Sequence, residues 1–263
     1  MVYFSGSSFL VFNLIAYLCS MEWNIVHIAE TDSTNRWLRE QGQGENMVVW
    51  ADYQTSGRGQ GTNHWESERG KNLTFSMLIH PKTPSLESRI IDSPLPASRQ
   101  FYLSMVVSLA ICDALGQHIG DLAIKWPNDI YWRDAKICGI LIENRLHGAS
   151  IRDSIVGVGL NVNQRQFLSD APNPVSLWQI CEHETDCEQL LKDILQSYEK
   201  YIGKEVGAQY RSMLYRKKGF YPYADQQGAF MAELVDVEDS GHLILRDDNG
   251  QQRRYAFKEV AFI

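Results

Sequence analysis

Residues 122–143 read LAIKWPNDIYWRDAKICGILIE and hold three short apolar runs, Leu122–Trp126, Ile130–Trp132 and Ile137–Glu143. Each run is too short for a helix, and Pro127, Asn128, Asp129, Arg133 and Asp134 separate them with turn chemistry, so the stretch predicts three consecutive β-strands. Working outward, Ile155–Val162 predicts a fourth strand. Leu190, Leu191, Ile194, Leu195, Tyr198, Tyr201 and Ile202 then recur at the 3.6 period of a long amphipathic helix. On the N-terminal side, Ser98–Leu115 predicts a helix with Phe101, Met105, Leu109 and Cys112 on one stripe, Ser98 as its cap and Gly116 at its end. Residues 81–98, with four prolines, read as a surface loop. Leu73–Ile79 predicts a strand whose alternate residues Leu73, Phe75, Met77 and Ile79 share a face. Met47–Ala51 predicts another strand, and Ser33–Gln41 a short helix capped by Asp32 or Ser33.

The pattern changes after about Arg216. Residues 217–263 have no helical period and carry short β-type runs, Phe230–Val237, His242–Arg246 and Arg253–Phe257. Asp239-Ser240-Gly241 and Asp247-Asp248-Asn249-Gly250 punctuate them as turns. A small all-β barrel therefore follows a mixed α+β domain, with 21–215 as the first unit and 216–263 as the second. Residues 1–20 contain no charge and read as an extension or a mis-assigned start. They lack the basic n-region of a signal peptide and the length of a membrane span.

Twenty-five Lys and Arg against 32 Asp and Glu give a net charge of −7, without the basic surplus of a duplex-binding domain. The five cysteines, Cys19, Cys112, Cys138, Cys181 and Cys187, form no CxxC and no zinc-ligand spacing, which fits a reduced, cytoplasmic thiol set.

Four constellations could carry chemistry. Gly57-Arg58-Gly59-Gln60-Gly61 frees the backbone to approach a ligand and presents one guanidinium, but it matches neither the Walker nor the dinucleotide fingerprint. Lys125-Trp126-Pro127-Asn128-Asp129 projects one ammonium from the end of an apolar strand. Gly157-Val158-Gly159-Leu160-Asn161-Val162-Asn163 puts glycines inside a strand, where a ligand or another chain segment comes close. Asp32-Ser33-Thr34-Asn35 suits a helix cap as well as a polar binding edge. Each alone reads at least as readily as ordinary loop, turn or packing.

In this order and spacing they resemble the biotin protein ligases, over about Met21–Ile263. The matching patterns are Thr31-Asp32-Ser33-Thr34-Asn35; Gln54-Thr55-Ser56-Gly57-Arg58-Gly59-Gln60-Gly61 with Trp65; Lys125–Asp129; Lys136-Ile137-Cys138-Gly139-Ile140-Leu141-Ile142-Glu143; and Gly157–Asn161. The resemblance implies an α+β fold, a mixed β-sheet flanked by helices followed by a small SH3-like β-barrel. It implies ATP-dependent ligation of biotin to one lysine of a biotin carboxyl carrier domain of a biotin-dependent carboxylase, through biotinyl-5′-AMP, with Mg²⁺ on triphosphate oxygens.

It further implies biotin contacts from Ser33, Thr34, Asn35, Gln54, Gly57, Arg58, Gly59, Gln60, Lys125 and Gly139. Nucleotide contacts would come from Trp65, Gln60, Asn128 and Asn161, and the charge work from Lys125 and Arg58. No resident metal ligands are expected. Many relatives carry Arg where Gln60 stands, so one positive charge near the adenylate phosphate is missing. Fewer than 31 residues precede the Thr31 motif, too few for the DNA-binding domain of some relatives. The expectation is a monofunctional cytoplasmic ligase without nucleic-acid or membrane partners. A homodimer stays open, with Ile151–Val162 as an edge it could use. The rivals are a lipoate or octanoate protein ligase of the same fold and a non-catalytic biotin-binding sensor.

Overall fold

The computed structural model describes residues 21–44, 46–61, 63–82, 93–169 and 171–263, so the expectations for residues 1–20 and Cys19, and most of the 81–98 loop, lie outside the described residues. The elements run β1 (Asn24–Ile28), α1 (Thr34–Gln41), β2 (Met47–Ala51), β3 (Leu73–Ile79), α2 (Phe101–Leu115), β4 (Leu122–Lys125), β5 (Asp129–Trp132), β6 (Ala135–His147) and β7 (Ser150–Leu160). After them come α3 (Leu177–Cys181), α4 (Cys187–Tyr201), α5 (Gly207–Ser212), β8 (Phe220–Asp225), β9 (Gly228–Val237), β10 (Leu243–Asp247), β11 (Gln252–Tyr255) and β12 (Ala261–Phe262). The expected mixed sheet is present, with seven strands in the order β1-β2-β3-β7-β6-β5-β4. Only β1 and β2 pair in parallel; the other neighbours are antiparallel. A second, antiparallel sheet of five strands, β11-β10-β9-β8-β12, forms the C-terminal part.

Strand alternation divides the large sheet into two unlike faces. Phe75 pairs with Val158, which pairs with Ile140, and all three are buried on the face covered by α2 and α4. The helix α2 is buried almost all round, not along one stripe, because it sits between the sheet and α4. Its start also differs from the expected one. Ala97–Arg99 forms a 3₁₀ turn and Gln100 occupies the N-cap position, so Ser98 lies a turn too early to cap. Gly116 follows the helix in right-handed geometry, without the left-handed cap expected of a terminal glycine. In α4 the Asp186 carboxylate accepts from the amides of Glu188 and Gln189, a cap that closes the free first turn.

The opposite face carries a small apolar patch, Leu38 of α1 against Met47, Val49, Leu78 and Ile155. Beyond that patch its residues are small or polar: Thr74, Ser76, Gly139, Gly157 and Gly159. The registers Ser76 to Gly157 and Thr74 to Gly159 to Gly139 put them side by side. The strand β7, which holds most of the Ile151–Val162 stretch, lies between β3 and β6, so it is an interior strand and offers no free edge.

Candidate active site

The small-residue face is a floor on which other side chains are laid. A Cβ on Gly159 would stand 2.3 Å from the Trp65 indole, and one on Gly139 3.2 Å from both Trp65 and the Lys136 ammonium. A Cβ on Gly157 would stand 2.2 Å from Asn35 Oδ1. Glycine at these positions thus makes room for an aromatic ring at one end of the floor and an amide at the other.

The polar end is built around the start of α1. Ser33 holds the N-cap position with extended backbone, yet its side chain caps nothing. Gln54 Oε1 does that work from outside, accepting from the Thr34 amide at 2.8 Å and the Thr34 hydroxyl at 3.1 Å. Ser76 Oγ lies 2.6 Å from Asn35 Oδ1 and 2.7 Å from Thr34 Oγ1. Asn35 Nδ2 donates to Glu143 Oε2 at 2.8 Å, and Arg39 holds the other Glu143 oxygen at 2.5 Å. Ser33, Thr34 and Asn35 are all at least 95% buried, so the structure turns a capping sequence into a rigid, buried polar wall.

The glycine loop is a short hairpin. Gly59 N–H donates to Asn63 O at 2.8 Å and Trp65 N–H donates to Gly57 O at 3.0 Å. A Cβ on Gly57 would stand 2.7 Å from Trp65 O, so this close backbone approach demands glycine. The hairpin is pinned at its base, where the Thr55 and Ser56 amides donate to the Thr31 and Asp32 carbonyls. Its Arg58 is exposed. Its second arm lays Trp65, the partner of Gly57, over Gly159 and Gly139, with the indole Nε1 buried and unpartnered.

Two ammonium groups flank the aromatic end of the floor. Lys125 pairs with Asp129, which pairs with Gly139, which pairs with Gly159, so it ends the row of the floor that carries the glycines. Its Nζ donates to Tyr131 Oη at 3.0 Å and lies 5.3 Å from the Phe262 ring of the second sheet. Burial lowers its pKa, and the Asp129 carboxylate opposes that shift. The second ammonium belongs to Lys136, whose Nζ sits 2.8 Å from Asp129 Oδ2 and 5.9 Å from the Trp65 ring centre. The residue pattern assigns Lys136 no separate role. Register carries the signal that spacing missed: an irregularity at Ile130/Tyr131 brings Lys136 opposite Tyr131, three residues ahead of Gly139 on the same strand.

The two asparagines have partners within the fold. Asn128 Nδ2 donates to Ile140 O, tying the β4–β5 turn to β6, and Asn161 Nδ2 donates to Val175 O at 3.1 Å. Asn161 Oδ1, however, is buried without a partner, two residues beyond Gly159. Asn128 and Gln60 also line a cavity of about 360 Å³ between the two sheets, together with Leu141, Gly241 and Phe257. Among the described residues no group of three or more His, Cys, Asp or Glu is placed to hold a metal ion, and no helix is long and apolar enough to cross a membrane. Burial pushes the Cys112 thiol up to about 12, the Cys187 thiol up to about 11 and the Cys138 thiol well above the usual range, so these three are poor nucleophiles.

A family model of the biotin/lipoate A/B protein ligases matches residues 27–161. The biotin–[acetyl-CoA-carboxylase] ligase of Paracoccus denitrificans is 29% identical, over 86% of this chain and 95% of that one. The bifunctional ligase/repressor BirA of Bacillus subtilis is 28% identical, over 87% of this chain and 70% of its own length. The fold is shared with the biotin protein ligase of Aquifex aeolicus solved in complex with biotin and ATP, with a TM-score of 0.72 and 24% identity over 91% of this chain and 98% of that one.

Proposed function

The chain belongs to the biotin/lipoate A/B protein ligase family, and from that premise we propose that it joins biotin, at the expense of ATP, to a lysine of a carboxylase's biotin carboxyl carrier domain. The observation that carries the choice of acid is the buried polar wall at one end of the glycine floor. A fused-ring urea needs a donor and acceptor set held in place, and Ser33, Thr34, Asn35, Gln54 and Ser76 supply one. A lipoyl or octanoyl tail ends in apolar atoms and could use none of the donor and acceptor capacity these groups keep beyond their bonds to one another.

In this reading the acid lies along the glycine floor with its ring at the Thr34–Gln54 wall and its carboxylate toward Lys125 and Lys136. The glycines Gly57, Gly59 and Gly139, each crowded by Trp65, Asn63 or Lys136, let the hairpin pack close enough to cover the aliphatic tail. In the first step a carboxylate oxygen attacks the α-phosphorus and pyrophosphate leaves. Two anions must meet. Lys125, half-buried at the end of the glycine row, places one positive charge where they do, and its partial desolvation strengthens that field. Lys136, held by Asp129, adds a second charge on the Trp65 side. Asp129 keeps this ammonium fixed, so little reorganisation is needed as charge develops. Trp65 offers a flat face for adenine, and the unpaired Asn161 Oδ1 is an acceptor suited to the exocyclic amine. Arg58, exposed on the hairpin, closes toward the phosphates.

In the second step the carrier lysine amine attacks the acyl carbon, the mixed anhydride bond breaks and AMP departs, with no covalent enzyme intermediate. A mixed anhydride hydrolyses in water, so the hairpin that carries Trp65 also serves as its cover. Mg²⁺ rides on triphosphate oxygens in this reading, which asks for no cluster of protein ligands around it. A cytoplasmic location completes the proposal.

Mass spectrometry of a carrier domain incubated with the protein, biotin, ATP and Mg²⁺ tests it. One biotin-sized increase is expected, falling at least 100-fold in rate with Lys125→Ala and about tenfold with Lys136→Ala. No increase with biotin, or an equal one with lipoate, would reject the reading. A loss below tenfold at Lys125, with a larger one at Lys136, would move the charge work to the second ammonium.

A further inference from the structure

Lys258 stands in the turn between β11 and β12 with a φ of 69°, left-handed backbone that glycine adopts freely and a lysine does not. Its side chain leaves the second sheet and reaches the glycine hairpin. The Nζ lies 2.8 Å from where a Cβ would stand on Gly61, itself at a φ of 68°. Lys258 is exposed, and among the described residues it takes part in no ion pair. Its neighbour Phe257 packs 5.9 Å from the Trp126 ring and lines the intersheet cavity with Gln60 and Asn128. An ammonium without a counter-charge, held in an unfavourable backbone conformation, is therefore aimed at a hairpin whose own central side chain, Gln60, is neutral.

We propose that Lys258 is a nucleotide-binding residue: the C-terminal sheet lends its ammonium to the glycine hairpin, where it meets the phosphate chain of ATP. The inference rests on the ligase reading and goes beyond it, because it makes the second sheet part of the nucleotide site. Gly61 then has two reasons to be glycine, its own left-handed backbone and the ammonium that fills the place of a side chain. Closing the hairpin on a nucleotide also draws it against the second sheet, so nucleotide binding and the seating of that sheet occur together.

The test compares the wild-type chain with Lys258→Met, Lys258→Arg and Lys258→Gly, read as pyrophosphate release with biotin and ATP. Lys258→Met is expected to raise the KM for ATP about tenfold, the scale of one lost charge-assisted contact, and to leave the KM for biotin within about twofold. Lys258→Arg is expected to stay near wild type. Lys258→Gly relieves the backbone and is expected to melt no lower than wild type while showing the same rise in KM, which a purely structural lysine would not produce. An unchanged KM for ATP in both Lys258→Met and Lys258→Gly overturns the proposal. Calorimetric titration of ATP into wild type and Lys258→Met decides the same point without turnover: weaker binding supports it and equal binding overturns it. Absence of pyrophosphate release in the wild type would instead fault the ligase reading.

Discussion

The two faces of the large sheet are made from the same strands and obey opposite rules. On β3, Phe75 and Met77 are fully buried in the main core, while Thr74 and Ser76, one residue over, carry hydroxyls to the floor. On β7, Val156 and Val158 complete the core while Gly157 and Gly159 leave space. The covered face is filled with apolar bulk, and its residues are interchangeable within limits of volume. The floor is defined by what is missing from it, and each missing Cβ is occupied by a named neighbour. Stability therefore belongs mainly to one side of a strand and recognition to the other.

Single substitutions should separate the two. The largest effect on folding is expected from Phe75→Ala on the covered face, about 3–5 kcal/mol by chemical denaturation, because a fully buried ring leaves a cavity. If the protein survives that change with full stability, the division between faces fails. Gly159→Ala, on the floor, should act the other way. Its new methyl would stand 2.3 Å from the Trp65 indole, so the ring must leave. Adenylation should fall at least 100-fold, about 2.7 kcal/mol in the barrier, with a Tm within a few degrees of wild type. A variant that keeps its rate would show that Trp65 stacks on nothing.

The smallest effect is expected in the second sheet. The Arg254 guanidinium and the Ser240 hydroxyl hold the Glu238 carboxyl at a pKa of about 2, below its ordinary 4.5. A carboxyl depressed on folding contributes stability above its unfolded pKa and loses it as pH falls through the folded one. Glu238→Gln should therefore melt slightly below wild type at pH 7, with the gap narrowing between pH 4.5 and about 2. A gap independent of pH would assign the contribution to packing.

Much of this arrangement was legible in the residues. Alternation identified β3 and its buried face residue by residue, and the apolar period gave α4. Parallel β1 was missed because its pattern is mostly exposed and its one partner, β2, pairs only after α1 has returned the chain. Ser98 misled as a cap because a 3₁₀ turn intervenes before α2. At the site, Thr34, Gln54 and the glycines of three separate motifs come together in space. Lys136 was passed over for a physical reason: a side chain's destination depends on register across β5 and β6, and one irregularity there brings its ammonium to Trp65 beside Lys125's own row.

The backbone pairing of Gly57 with Trp65 has a further consequence for timing. Ring and loop share that bond, so a hairpin that swings out as one unit withdraws the indole from the floor. In the proposed cycle the enzyme thus has no half-open state that frees the nucleotide while still shielding the acyl group. Departure of AMP and exposure of the pocket to the next biotin then become a single event.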